Sequence, residues 1–434
     1  MTLTSVQMHS GARRVIFAAW LGWLMDGYVS ISYLINAPIV STLFFPSGFS
    51  IEYYLAFGVN GGARALGSAL LGNFIGDRIG RKRMLVITVG LFSLSTALLG
   101  LLPIYSQGGI GVPIAVFILL FLMGLFAGAE YGGGTALSME SVPPEKRNLY
   151  GAFVQSGFGT GYVILAGVFT FLNFVYGQAA YASIGWRVLF LSTLIPGLLT
   201  FLIRSITPES HVFEETERKE GVEKTPVVAL FRDVKSKLAL VVAITAGLLY
   251  INTATFSLYP TILGIVDRFN PKSWGFLLIL INAISIGGVL LGGLYAGSNR
   301  NRAKYILVYS LLFLLISIPV DYIAFGRSLL FIGIAFSAQA FTEAMIFSTL
   351  PAFMSESFSK RYRTTAVGFA YNLGSTFGAL AIVIVPLSAL SLGWGVAWIT
   401  NILIASILLF VAAAASFNIF ISGSGRESPD LILE

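Results

Sequence analysis

The sequence predicts an all-α integral membrane protein of twelve transmembrane helices in two six-helix, pseudo-symmetric halves. Three observations predict it. Apolar residues make up 56% of the 434-residue chain and charged residues only 11%, less than half of the roughly 25% found in soluble domains. Twelve aliphatic and aromatic runs recur along the chain, each long enough to cross a hydrocarbon core about 30 Å thick as a helix. One polar stretch, dense in both charge signs, separates the first six runs from the last six.

The runs lie near residues 15–40, 53–76, 84–105, 112–138, 150–176, 187–206, 238–264, 274–296, 304–323, 328–353, 364–390 and 394–421. Arg13 and Arg14 lead straight into the first, which is too long for the apolar core of a secretory signal and is expected to stay in the mature protein. The first six form an N-terminal bundle over 1–206. The stretch "TPESHVFEETERKEGVEKTPVVALFRDVKSK" is a cytoplasmic linker over 207–237, residues 238–421 form the C-terminal bundle, and 422–434 are a cytoplasmic tail. With both termini cytoplasmic, that face carries 22 of the 27 Lys and Arg residues, and the opposite face keeps only Arg187, Arg268, Lys272 and Arg327. This positive-inside asymmetry sets the orientation in a cell membrane. It also accounts for the net charge of +7 without a nucleic-acid partner.

Several chemistries are excluded. The chain has no cysteine, hence no disulfide, thiolate metal site or cysteine nucleophile. Its two histidines, His9 and His211, lie outside the spans, so neither a histidine metal cluster nor a histidine-based triad can be built within the membrane. No spacing of nucleophile, base and orienting group points to an enzyme. No cofactor is expected beyond protons as a coupling ion.

The two halves share loop strings. "GNFIGDRIGRKRM" joins helices 2 and 3, and a degenerate "GGLYAGSNRNRAK" joins helices 8 and 9. "ESVPPEKRNLYGAF" follows helix 4 and "ESFSKRYRTTAVGFA" follows helix 10, each with a glutamate at the helix end and basic residues five to seven positions on. Repeated halves rocking about a site at the bilayer midplane are how many secondary transporters work.

The first of these strings resembles the signature loop of the major facilitator superfamily, G-x-x-x-D-R-x-G-R-K/R, through Gly72 (or Gly76 at a shorter spacing), Asp77, Arg78, Gly80, Arg81 and Lys82. "ARALGSALLGNFIGDRIGRKR", "GLLPIYSQGGIGVPIAV", "GLFAGAEYGGGTALSMESVPPEKR" and "YGAFVQSGFGTG" are similar to the metabolite:proton symporter branch, which is related to the sugar porters. The likeness runs from about residue 14 to 213 and returns more weakly in the second half. It implies the major facilitator fold, alternating access and import of small carboxylates, aromatic acids or zwitterionic osmolytes. Where the family commonly has an arginine and a glutamine in helix 4, this chain has Leu120 and Met123, and Gly297 or Ser298 replaces the aspartate of the second-half loop. The first departure leaves the coupling mechanism open.

Ionisable groups deep in the spans are the candidates for function. Asp26 follows Arg14 by twelve residues, a rise of about 18 Å to near the bilayer centre. Arg64, Glu130 and Glu343 reach a similar depth. Each charge costs roughly 2.5–3.5 kcal/mol at a helix centre, so they need partners or water, and such residues mark substrate or proton pathways. Pairing of Arg64 with Asp26 or Glu130 satisfies both charges, although replacing a buried pair by leucines is often neutral or stabilising, which leaves stability a weak reason to keep it.

The expected mechanism is competition. A substrate carboxylate takes the guanidinium hydrogen bonds of Arg64, and the displaced side chain takes up a proton. Asp26, Glu130 and Glu343 are thus the proton-coupling candidates, and Arg64, Tyr131, Gln155 and Asn252 the substrate-binding ones. Tyr28, Tyr33, Asn36, Tyr162, Tyr259, Asn282, Gln339 and Asn372 are expected mainly to bridge helices. Asp77, Arg78, Arg81, Glu140 and Arg147, with Glu356, Arg361 and Arg363 in the second half, are expected to latch the outward-facing state. "GFGTG" at 157–161 sits inside an apolar span with no strand before it, so it reads as close helix packing rather than a dinucleotide loop.

The resulting expectation is a secondary transporter, working as a monomer, that imports a small organic anion by proton symport. Three alternatives stay open: a proton-coupled carrier of a neutral sugar, polyol or zwitterionic osmolyte, an uncoupled facilitator, and a membrane sensor that does not transport.

Overall fold

The computed structural model describes residues 10–46, 51–75, 81–129, 134–135, 138–206, 231–232, 234–323, 325–359 and 363–423. Among them every regular element is helical. Nine stretches among the described residues are long and apolar enough to cross a membrane, and one of these, Pro144–Ile203, holds two spans separated by a break at Gly177, where φ is +71°. The less apolar helical stretches 51–75 and 81–99 complete the twelve. Residues 207–230 of the linker, the tail beyond Gly423, and Asp77, Arg78, Glu130, Tyr131 and Arg361 lie outside the described residues, as does the side chain of Arg81.

We label the spans in chain order. α1 is Ser10–Ile35, α2 Ile51–Gly67, α3 Arg81–Leu99, α4 Gly111–Gly128, α5 Arg147–Ala180 and α6 Leu194–Ile206. In the second half, α7 is Lys235–Asn252, α8 Pro271–Ala296, α9 Arg302–Ile323, α10 Leu329–Ser357, α11 Arg363–Gly378 and α12 Trp394–Gly423. α1 breaks at Asn36, because Pro38 lacks the N–H that an unbroken helix needs, and the chain continues as Ala37–Phe44. α7 passes into two wide π turns, Thr253–Ser257 and Ile262–Val266, on either side of Leu258–Pro260. Such turns collect at functional sites.

The outer surface is apolar, as a helix bundle in lipid requires. Ile118, Phe171, Phe174, Leu315, Ile334 and Leu408 all point outward. Without a hydrophobic driving force between helices in lipid, association depends on close packing at small residues. The glycines of "GFGTG" supply it, as expected: a Cβ on Gly157 would lie 2.3 Å from the Trp20 carbonyl oxygen, and one on Gly161 2.0 Å from that of Leu24. α5 therefore lies directly on α1.

Gly161→Val is expected to force α5 off α1 and to cost at least about 1–3 kcal/mol. Gly167 on the same helix has open space around it, so Gly167→Val, with the same change in helix propensity, is the control. Melting temperature and monodispersity in detergent should separate the two variants; equal behaviour would contradict the packing argument.

The halves meet along two lines of contact. α5 of the first half runs beside α8 of the second, and α2 lies against α11. A cavity sits between these lines, with charged groups in the bundles on either side.

Candidate functional site

In the first half, α1 and α2 bring Asp26 and Arg64 together. Arg64 Nη2 donates to Asp26 Oδ1 at 2.8 Å and Nη1 to Oδ2 at 3.5 Å. Ser30, one turn along α1, completes a triangle: its hydroxyl donates to Asp26 Oδ1 at 2.8 Å and accepts from Arg64 Nη2 at 2.9 Å. Both charged side chains are only 12% exposed. A paired guanidinium and carboxylate are therefore retained in an apolar stretch as a neutral unit.

The second half holds a different arrangement. Glu343, halfway along α10, is completely buried. Asn252 Nδ2 donates to its Oε1 at 2.9 Å, and the Thr255 hydroxyl lies 2.7 Å from Oε2. No ion pair reaches Glu343 among the described residues.

Between the two lies a cavity lined by both halves. Trp23, Gln155, Ser156 and Phe158 line it from the first half, and Asn252, Asn282, Ser285, Phe347 and Tyr371 from the second. The amide oxygens of Gln155 and Asn282 are buried without a hydrogen-bond partner. Among the predicted binding residues, Gln155 and Asn252 are in the lining. Arg64 is not; it lies with Asp26, one helical turn along α1 from Trp23. The Trp23 ring meets Tyr371 edge-on across the halves, with centroids 5.9 Å apart.

Contacts between the halves close both sides of the cavity. On the side opposite the basic clusters, the Tyr162 hydroxyl donates to the Phe256 carbonyl at 3.1 Å, Tyr54 and Thr261 share a hydrogen bond of 2.9 Å, and Phe169 packs on Trp274. At the basic end, Arg147 of the first half reaches Glu356 of the second at 3.1 Å, and Arg363 of the second reaches Glu140 of the first at 3.1 Å. The two glutamate strings read as repeats thus clasp each other's arginines.

Arg302, which sequence reasoning did not single out, joins this cluster. It is 2% exposed and donates to both oxygens of Glu356 at 3.2 Å and to the Pro144 carbonyl at 2.6 Å. Arg300 pairs with Glu145 across the same gap. In the degenerate second-half loop backbone carbonyls take part: Asn148 donates to Gly297 O at 2.9 Å and to Asn299 O at 3.1 Å.

Most of the other polar residues bridge helices. Tyr28 bonds Ser192, Tyr33 bonds the Tyr53 carbonyl, Tyr181 bonds Asn36, Tyr259 bonds Gln339, and Asn372 bonds the Gly128 carbonyl. The residues that sequence reasoning missed are Ser30, Thr255, Arg302 and the aromatic lining. Ser30 was legible, being four residues from Asp26 and so on the same helix face. The aromatic lining was not, among 35 phenylalanines and 18 tyrosines.

The chain is 28% identical over 420 residues to the inner membrane metabolite transport protein YhjE of Escherichia coli (strain K12), covering 94% of this chain and 92% of that protein. It is 29% identical over 390 residues to the shikimate transporter of the same organism, covering 85% and 86%. The solved proton:xylose symporter XylE bound to 6-bromo-6-deoxy-D-glucose superposes with a TM-score of 0.74 at 17% identity, over 94% of this chain and 95% of that one, a likeness of fold. The family model described as Major Facilitator Superfamily matches residues 15–382, so this multi-pass membrane protein, a transporter and not an enzyme, belongs to the Major Facilitator Superfamily.

Proposed function

We propose that this chain imports a small carboxylate-bearing solute together with protons, by alternating access across an inner membrane with both termini in the cytoplasm. One observation carries the reading: a cavity between the halves is flanked by ionisable groups that a purely structural bundle does not need, Arg64 with Asp26 on one side and Glu343 on the other. Amide donors from Gln155 and Asn252 suit a carboxylate. The shikimate transporter, a relative over most of its length, is consistent with such a substrate. In this reading the clasps at Glu356 and Glu140 hold the cytoplasmic end shut. Arg64 lies one turn beyond the lining, so substrate competes with Asp26 for it only after the halves have rocked apart.

A second reading has its own support. The unpartnered amide oxygens of Gln155 and Asn282 accept from hydroxyl or ammonium groups, which favours a neutral polyol or a zwitterion. Purified protein in liposomes under an inward proton gradient decides between them. With a carboxylate, a polyol and a zwitterion offered in turn, we expect the carboxylate to accumulate above its equilibrium ratio and to leak out when a protonophore is added. Accumulation of the polyol or the zwitterion alone would support the second reading. Equilibration without accumulation would make the chain a facilitator, and no flux would overturn the carrier reading.

A further inference from the structure

We infer that Glu343, and not Asp26, carries the proton in the state closed at both ends, with that proton on Oε2 and donated to the Thr255 hydroxyl. The hydrogen-bond inventory around Thr255 requires a choice. Its hydroxyl has one hydrogen and three oxygens within reach: Glu343 Oε2 at 2.7 Å, Ile251 O at 2.9 Å and Asn252 O at 3.3 Å. If Glu343 is ionised, Thr255 must give that hydrogen to it. A fully buried carboxylate with room for about four hydrogen bonds then has two donors and no cation.

If Oε2 is protonated, every group is matched. The acid donates to Thr255 Oγ1, Thr255 passes its own hydrogen to Ile251 O, and Asn252 still donates to Oε1. No net charge is left in the wall.

Asp26 shows the opposite pattern. Both of its oxygens face guanidinium N–H groups, and Oδ1 also accepts from Ser30. A proton there would displace one of the Arg64 donors, so the pair is matched only when Asp26 is ionised. The two halves thus divide the work, a fixed charge pair in one and a neutral acid in the other.

No second ionisable group among the described residues faces Glu343 closely enough to alter this. On the helices packed against α10, the titratable side chains at this depth are tyrosines engaged elsewhere: Tyr162 with Phe256 O, Tyr250 with Asn401, Tyr259 with Gln339, Tyr309 with Gly292 O and Tyr371 with the Trp23 ring. Arg302 and Glu356 sit at the basic end, and Glu356, thirteen residues along α10, is about 20 Å away.

Release has a structural route. Asn252 both lines the cavity and holds Glu343, and Thr255 lies in the π turn that begins directly after it. A shift of α7 therefore withdraws both partners together. The acid is then exposed to cavity water, which accepts the proton and leaves the carboxylate behind. The direction of transport this serves rests on the symport reading above; the location of the proton does not.

Infrared spectroscopy of the purified full chain tests the assignment. We expect a carboxylic-acid C=O band that disappears in Glu343→Gln and remains in Asp26→Asn. Glu343→Gln keeps the local geometry, since an amide at this position donates to Thr255 and accepts from Asn252 as the acid does. Should Glu343→Gln nevertheless fail to fold, Thr255→Val should move the band to higher frequency, because the acid loses its acceptor, and Thr255→Ser should leave it in place. In liposomes the number of protons entering per solute should fall in Glu343→Gln.

A wild-type spectrum without the band, or a band that survives Glu343→Gln and is lost in Asp26→Asn, would overturn the inference. Absence of solute flux in the wild type would overturn the carrier reading while leaving the infrared result standing, so the two failures are distinguishable.

Discussion

Arg64→Leu is expected to lower stability by about 3 kcal/mol and to abolish transport. Asp26 would keep only the Ser30 hydroxyl among its described partners, and an uncompensated carboxylate near the middle of a span either stays charged at that cost or takes up a proton. The double variant Arg64→Leu/Asp26→Leu removes both charges and should recover most of the stability. Transport should not return. Melting temperatures in detergent and uptake into liposomes, measured on the single and double variants together, separate the two roles. If the double variant transports like the wild type, the pair is structural only; if Arg64→Leu melts with the wild type, the pair does not hold α1 on α2.

The second large effect belongs to the basic end. Glu356 accepts from Arg147 and from buried Arg302, so Glu356→Gln removes one of the charges that hold the halves together and leaves Arg302 without its carboxylate. Glu356 is itself 26% exposed, and solvent screening reduces the loss. A net loss of about 1.4 kcal/mol is expected, enough to shift the balance between closed and open states about tenfold.

The chain offers a clean readout, because it has no native cysteine. With Val289→Cys placed in the cavity lining, labelling by a maleimide applied to the basic face should rise about tenfold on adding Glu356→Gln. Unchanged labelling would mean that the Glu356 cluster does not gate that end.

The spans are legible in the chain and their neighbours are not, and particular residues show why. Twelve apolar runs are visible because lipid demands about twenty apolar residues per crossing whatever the topology. Depth is legible too, since a helix rises about 1.5 Å per residue from a charged end. That is how Asp26, Arg64 and Glu343 stand out. The close packing at Gly157 and Gly161 is legible because several glycines in one apolar helix have little other use.

Partners are harder. Glu140 and Glu356 are recognisable as repeats, but nothing in either string tells that each binds an arginine of the other half. Arg302 opens α9, directly after a loop string that matches its first-half counterpart only loosely, and draws no attention. Trp23 and Phe158, which line the cavity, are indistinguishable in the sequence from the aromatic residues that face lipid.

By itself the sequence determined the number of crossings, the position of Asp26, Arg64 and Glu343 along their helices and the division into two repeated halves, because each depends only on composition and distance along the chain. The tertiary structure decided which way each helix is rotated and what it touches: that Asp26 meets Arg64, that Glu343 meets Thr255 and Asn252, and that Arg64 stands outside the cavity lining. The physical reason lies in the solvent. A helix in water announces its buried face by being polar on the other, whereas a helix in lipid is apolar on both and leaves its rotation to be set by where neighbouring backbones can approach.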